Sequence, residues 1–414
     1  MMNLNLAINN LPAPTFGFLK LNGDVIDREV IAITDTATPV PETIPEGLMV
    51  QTDVSFADAQ KMFEETAKQT AEGDTDYSKP NGDTYEQNAA QTVHTGMGVA
   101  VDKLLQDMNV PVCVITAAEG VKVEEPLVIH YGLRDGDSTL SAQVIYAAAG
   151  SEVTVIMDYK SGTLAGGFHG VSTKILAEEG ARVHLVKVQS LGEKFLHIDD
   201  LGGVACKDAA IDLIQMELGS AAAWTGSYIN LLGNGARFDA DGGYLTRKEQ
   251  YLDQNYVTEQ RGKRTECFMH FKGVMMDKAT KTLRYSIDFK NGCNGAYGEE
   301  TEDVLLLSED VVNRSMPLIL CQEDDINGEH GATIGRLNDD ELFYMESRGI
   351  AREDAERMIV RARLKSIARK MPDCALKDET VSHINRIMKY ESDFNDCDDL
   401  ILCEGKAECE ERCE

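Results

Sequence analysis

The sequence predicts a mainly β fold, a right-handed parallel β-helix over residues 110–338 flanked by N-terminal and C-terminal helical segments, and three observations carry this expectation. A phrase made of a small or apolar lead-in, a Gly or Asp, and then alternating apolar positions recurs as AAEGVKV, AAAGSEV, AEEGARV, ACKDAAI and LGNGARF. Its turn residues Gly120, Gly150, Gly180, Asp208 and Gly235 fall 30, 30, 28 and 27 residues apart, a near-constant step that suits stacked coils. Each phrase opens a short β-branched run, such as Val153 to Ile156 or Val183 to Val188, and no helical period of comparable length interrupts the series between Pro111 and Leu232. One coil cannot bury its inward face alone, so neighbours must stack and helical caps should flank the stack.

The region 1–109 is expected to carry helices. Phe56 to Ala71 places Phe56, Ala59, Met62 and Phe63 at helical spacing, and Tyr85 to Met108 does so with Ala89, Val93, Met97, Val101, Leu104 and Leu105, across a polar loop from Glu72 to Asp83. A C-terminal helical domain is expected over 339–390, with helices at Asp339 to Met371 and Lys377 to Tyr390 separated by Pro372. The tail 391–414 sets ten acids against Lys406 and Arg412, the composition of a solvated segment. It also holds Cys397, Cys403, Cys409 and Cys413 at intervals of 6, 6 and 4. Four thiolates suffice for a tetrahedral metal site, but the spacing lacks a CxxC knuckle and acidic neighbours oppose thiolate formation.

Across 414 residues, 40 Lys and Arg stand against 70 Asp and Glu, a net charge of −30. Such a field repels phosphate backbones and anionic lipid, which sets nucleic acid and membrane aside as partners. The opening MMNLNLAINN has no leader pattern, and the longest near-continuous apolar stretch, Val110 to Ala118, is too short for a bilayer span, so a cytoplasmic protein with reduced cysteines is expected. The signatures GxxxxGK[ST], GxGxxG, HExxH and GxSxG are missing, so no catalytic residue is nominated and no nucleotide is expected on this chain.

The densest stretch is PLILCQEDDINGEHGATIGRLNDDELFYMESRGI, Pro317 to Ile350. Its acidic pair Asp324/Asp325, then His330-Gly331-Ala332-Thr333, Leu342-Phe343-Tyr344 and Ser347-Arg348-Gly349-Ile350, resembles the SufB/SufD family of the SUF iron-sulfur cluster assembly system. Val123-Glu124-Glu125-Pro126, Ile129-His130-Tyr131, Leu305-Leu306-Leu307-Ser308 and the opening Asn9 to Asn22 extend the resemblance to nearly the whole chain, as far as about Tyr390.

The resemblance implies a non-enzymatic scaffold, most like a SufD-type subunit, that pairs through its β-helix with a SufB-type paralogue or a second copy of itself. It implies that His330 stands at that interface, where a transient iron-sulfur cluster is shared with the partner; the plainer alternative is a satisfied histidine in a turn. Imidazole is a borderline ligand for iron and can relay protons. The acidic Glu323, Asp324, Asp325 and Glu329 are expected to favour its protonated form. The cysteine and glutamate of B-type subunits fall at Glu302 and Gly331 here, which moves the chain towards the D-type. Cys293, Cys321 and Cys267 are near enough in sequence to serve as thiol ligands, although thiols are more often simply buried.

The family's C-terminal helices dock the SufC ATPase, of the ABC type, which by resemblance nominates Arg348, Gly349, Met358 and Ile359. The helix Arg352 to Ala368 has Ala355, Met358, Ile359, Ala362 and Ile367 available for one face, and its five basic residues suit a complementary surface. The alternatives are a SufB-like homodimeric scaffold with SufC and a metallochaperone working through the tail cysteines. A carbohydrate-active β-helix enzyme is disfavoured by the single tryptophan, Trp224.

Overall fold

The computed structural model describes residues 1–15, 17–62, 65 and 95–388. Gly120, Gly150, Gly180, Asp208 and Gly235 all adopt the left-handed backbone, with φ between 54° and 70°, and the series runs on through Arg264 (φ 54°) and Gly295 (φ 73°). Each of these residues donates its N–H to a carbonyl in the turn of the next coil, from Gly120 on Ala149 to Gly295 on Asp325, at 2.6–3.0 Å. The turns therefore stack into a backbone ladder along one corner of the molecule. Arg264 and Gly295 escaped the repeat search because their lead-ins, RGK and GCN, lack the small apolar residues of the earlier phrases.

The strands between corners form two sheets of a parallel β-solenoid. One contains, in spatial order, β3 (Leu48–Val54), β4 (Val112–Ala117), β6 (Ser138–Ala147), β8 (Gly166–Ala177), β10 (Lys194–Ala205), β12 (Ala222–Leu231), β14 (Tyr251–Gln260), β16 (Thr280–Phe289) and β18 (Val312–Cys321). The other contains β5 (Leu127–Leu133), β7 (Glu152–Ser161), β9 (Arg182–Ser190), β11 (Ala210–Glu217), β13 (Arg237–Thr246), β15 (Glu266–Met275), β17 (Ala296–Leu306) and β19 (Ile326–Gly335). Inward side chains such as Ile115, Ile145, Val155, Leu185, Ile211, Phe238 and Phe289 make one continuous core between the sheets. Strand parity decides which residues enter it.

The covering of this stack differs from the helical caps expected at both ends. At the N-terminal end the first sheet is closed by a strand, β3, which pairs antiparallel with β4 from Leu48 opposite Ala117 to Val54 opposite Val112. The hairpin of β1 (Met2–Ile8) and β2 (Asp24–Val30), the helix α1 (Val99–Asp107) and a helical segment at 56–62 pack on the outer face of that sheet, around Val112, Leu140, Leu176 and Trp224. At the other end, α3 (Arg352–Ala368) and α4 (Cys374–Ile387) lie against the outer face of the second sheet, over Ile156, Val186, Met216, Leu245, Val274 and Leu305. Those outward apolar columns need cover more than the last coil does, and among the described residues the last coil is left open.

The C-terminal helices also start and stop elsewhere than expected. The segment 339–371 is two helices, α2 (Asp339–Ser347) and α3, because Gly349 adopts φ 88° between them. Helix α4 begins at Cys374, where the Asp373 side chain accepts the Leu376 N–H. The face of α3 that is buried consists of Ala355, Val360, Leu364, Lys365, Ile367 and Ala368, not the stripe through Met358 and Ile359. Of the expected helix from Tyr85 to Met108, the described part is helical from Val99; half of the expected segment from Phe56 to Ala71, and the whole cysteine tail, lie outside the described residues.

Candidate functional site

The C-terminal end of the stack gathers the candidate residues. In β17 the side chains alternate strictly, with Gly298, Glu300, Glu302 and Val304 buried and Tyr297, Glu299, Thr301 and Asp303 partly exposed. β19 continues this register, so that His330 lies opposite Glu300 and points the same way. Among the described residues no coil follows, and His330 keeps 56% of its side chain exposed while Glu300 beneath it is fully buried. The imidazole Nδ1 stands 3.9 Å from Glu300 Oε1.

Neither oxygen of Glu300 has a hydrogen-bond partner of good geometry. Burial pushes its carboxyl up to about 9, with the nearby Leu318 backbone pulling weakly the other way, so it carries a proton at neutral pH. One inward step along the strand, Glu302 accepts the Tyr244 hydroxyl at 2.8 Å and pairs with the Lys281 ammonium. Lys281 Nζ also donates to Ser315 Oγ at 3.2 Å and lies 5.4 Å from the Tyr244 ring centre. Burial pushes the Lys281 pKa down, and Glu302 opposes that shift. The Tyr285 hydroxyl, which feels both glutamates, is buried without a partner.

The carboxylate facing the imidazole is therefore Glu300 rather than the acidic stretch expected from sequence. Glu329 lies opposite Glu299 on the outward face. Glu323 is engaged by the Gly292 and Asp324 N–H groups, and the Asp325 carbonyl takes the Gly295 N–H in the turn ladder. Neighbours in sequence alternate across a strand, whereas neighbours in register share a face.

The thiol candidates divide by burial. Cys267, opposite Gly298 in β15, and Cys293 sit in the apolar core, while Cys321 at the end of β18 is exposed. Burial raises both inner thiols, Cys293 to about 12, with the Glu323 charge adding to it. Among the described residues no group of three or more His, Cys, Asp or Glu is arranged to hold a metal ion.

Of the nominated docking residues, Arg348 and Gly349 lie in the turn between α2 and α3, and Met358 and Ile359 lie within α3. Arg348 stacks 5.1 Å from the Tyr344 ring, Gly349 makes the turn, Met358 is 39% exposed and Ile359 packs against the cluster under the helix. The basic surface is largely spent inside the chain: Arg352 pairs with Asp339 and Glu356, Arg357 with Glu353 and Asp354, and Arg363 with Asp303. Helix α2 leaves Phe343 and Tyr344 exposed beside this turn. Sequence reading missed Glu300, Lys281, Tyr244 and Tyr285; charged residues at inward parity were the signal that would have found them.

A family model described as the SufBD core domain of SUF-system iron-sulfur cluster assembly matches residues 132–363. The chain is similar to the iron-sulfur cluster assembly protein SufD of Bacillus subtilis, 27% identical over 276 residues, covering 66% of this chain and 63% of that protein. SufD of Escherichia coli is 25% identical over 280 residues, covering 67% and 63%. SufB of Bacillus subtilis is 22% identical over 282 residues, covering 67% and 59%. The chain thus spans less than two thirds of the length of these relatives, and the matches are narrower than the near-complete extent expected from the motifs.

Proposed function

The chain belongs to the SufB/SufD family of SUF-system iron-sulfur cluster assembly proteins, and on that premise we propose that it is a non-catalytic, SufD-like scaffold subunit. Its partners in this reading are a SufB-type paralogue or a second copy of itself, and a SufC-type ABC ATPase. The observation that carries the reading is the last coil, whose strand β19 is paired on one side only among the described residues and presents an exposed His330 above a buried acidic cluster. An open strand edge is a template for another chain, and imidazole at that edge is a ligand for incoming iron. The iron-sulfur cluster is cargo, assembled transiently between this chain and its partner. The ATPase would engage α2 and the start of α3, where Phe343, Tyr344 and Met358 are exposed, and its closure would rearrange the strand interface.

Copurification of the tagged chain with its neighbours, followed by mass measurement, tests the partnership. His330→Ala should leave stability within about 0.5 kcal/mol of the parent, as for other exposed positions, while cluster yield in the reconstituted complex falls severely. A variant that unfolds earlier yet keeps normal yield per folded complex would make His330 structural and end the site assignment.

A further inference from the structure

We propose that His169 and His197 form a proton-sensitive lock inside the middle coils of the solenoid, a hydrogen-bonded imidazole pair that holds the core closed while it is neutral and forces it open when it is charged. The device belongs to this chain alone and needs no partner.

His169 of β8 and His197 of β10 lie opposite each other in register and point inward, where neither has any exposed surface. Their ring planes are parallel to within 1°, the ring centres are 5.0 Å apart, and the two Nδ1 atoms stand 3.0 Å from each other. One proton fits between two nitrogens at that distance, so one imidazole donates its Nδ1–H and the other accepts it. Neither Nε2 has a hydrogen-bond partner of good geometry. Tyr131 and Tyr159 close over the pair from the facing sheet, with ring centres 5.0–5.3 Å from the imidazoles.

The surroundings offer no counter-charge. The titratable groups around the pair are Tyr131 of β5, Tyr159 of β7, Lys187 of β9 and Asp199 of β10, while its neighbours in register, Thr139 of β6 and Ala223 of β12, do not titrate. Lys187 and Asp199 are already paired with each other. Beyond them, Glu217 of β11 is pushed up to about 8 by burial and by the Asp199 charge, and so keeps its proton at neutral pH. A proton added to the imidazoles would therefore meet no free carboxylate and would feel the Lys187 ammonium. A second would set two N–H groups against each other across 3.0 Å. Burial accordingly holds His197 down at about 3, with the His169 backbone opposing and Lys187 adding to the shift. His169 lies well below its ordinary value through burial, then His197 and Lys187.

The sign follows from linkage. Unfolded histidines titrate near about 6.5, so below that pH the unfolded chain takes up two protons that the folded core refuses. The stability contributed by the neutral pair is present in full above about 6.5 and is lost as the pH falls towards the folded values.

The test uses the full chain alone, with urea unfolding followed by far-ultraviolet circular dichroism and by the fluorescence of Trp224, the single tryptophan. The parent is compared with two double variants that cannot titrate here, His169→Phe with His197→Phe, and His169→Gln with His197→Gln. Relative to either variant, the folding equilibrium constant of the parent should fall roughly a hundredfold between pH 7.5 and 5.5, about tenfold for each imidazole. Other acid-sensitive groups are common to all three chains and cancel in the comparison. Nitrogen-15 spectra of the histidine side chains in the folded parent provide a readout that needs no substitution: at pH 5.5 this pair should remain neutral, with one Nδ1–H shared between the rings. A relative fall of less than about threefold, or an imidazolium signal from the pair in the folded chain at pH 5.5, overturns the proposal.

Discussion

At the scale of single residues, the end of the solenoid is governed by two glutamates that solve burial differently. Glu302 keeps company with a cation, whereas Glu300 keeps a proton. Its folded pKa, about 9, lies above the ordinary 4.5, so the folded chain binds more protons across that window and loses stability as pH rises through it. Glu300→Gln has no such loss. In the presence of a chelator the variant should match the parent near pH 4.5 and exceed it by about 1–3 kcal/mol near pH 8.5 in urea unfolding. An advantage that shrinks with rising pH would mean that the carboxyl is already ionised. Lys281→Met should do the opposite, stranding Glu302 in the core and costing about 3–5 kcal/mol, most of it recovered by adding Glu302→Leu. His330 was legible because a long motif surrounds it. Glu300 was not, because in the run Glu299, Glu300, Thr301, Glu302 the sequence alone does not say which carboxylates face inward, and only the strand register does.

At the scale of elements, the corner turns explain both what the sequence revealed and what it hid. A left-handed residue is needed once per coil, and Gly supplies it with no Cβ penalty at four of the five turns visible as a phrase, with Asp208 at the fifth. Arg264 meets the same backbone demand at a cost of about 1 kcal/mol and so disappears from the pattern. Gly180→Val should therefore destabilise by about 1–2 kcal/mol, while Arg264→Gly should be neutral or slightly stabilising; thermal unfolding of the two variants distinguishes them. The helices were legible as periodic segments, but not where they dock, since that depends on apolar columns assembled from strands 30 residues apart. The consequence falls on α3: Met358→Asp should remove ATPase copurification with little change in the unfolding midpoint. Ile359→Asp should also weaken the helix itself, because that side chain packs against the outer face of the sheet.

At the scale of the whole molecule, the two ends of the stack are unlike. β3 adds an antiparallel strand to the first sheet at one end, where β5 is the edge of the second sheet, whereas β18 and β19, ten residues each, end the two sheets at the other with no strand beyond them among the described residues. Long edge strands left open in a chain of net charge −30 would be hazardous if exposed permanently, and the repulsion between like-charged copies restrains indiscriminate pairing. The open end nevertheless carries apolar groups that a partner would cover, with Ile334 49% and Val312 39% exposed. Ile334→Lys places a charge on the inward parity of the terminal strand, where a docked chain would have to desolvate it. The expected outcome is at least roughly tenfold weaker association with the sister subunit or a second copy, read by light-scattering mass, with stability held within about 0.5 kcal/mol. Met49→Lys provides the counterpart, since Met49 is 53% exposed on the closing strand at the opposite end. It should leave association intact. If Met49→Lys disrupts the assembly and Ile334→Lys does not, the working interface lies at the N-terminal end and the exposed His330 is not part of it.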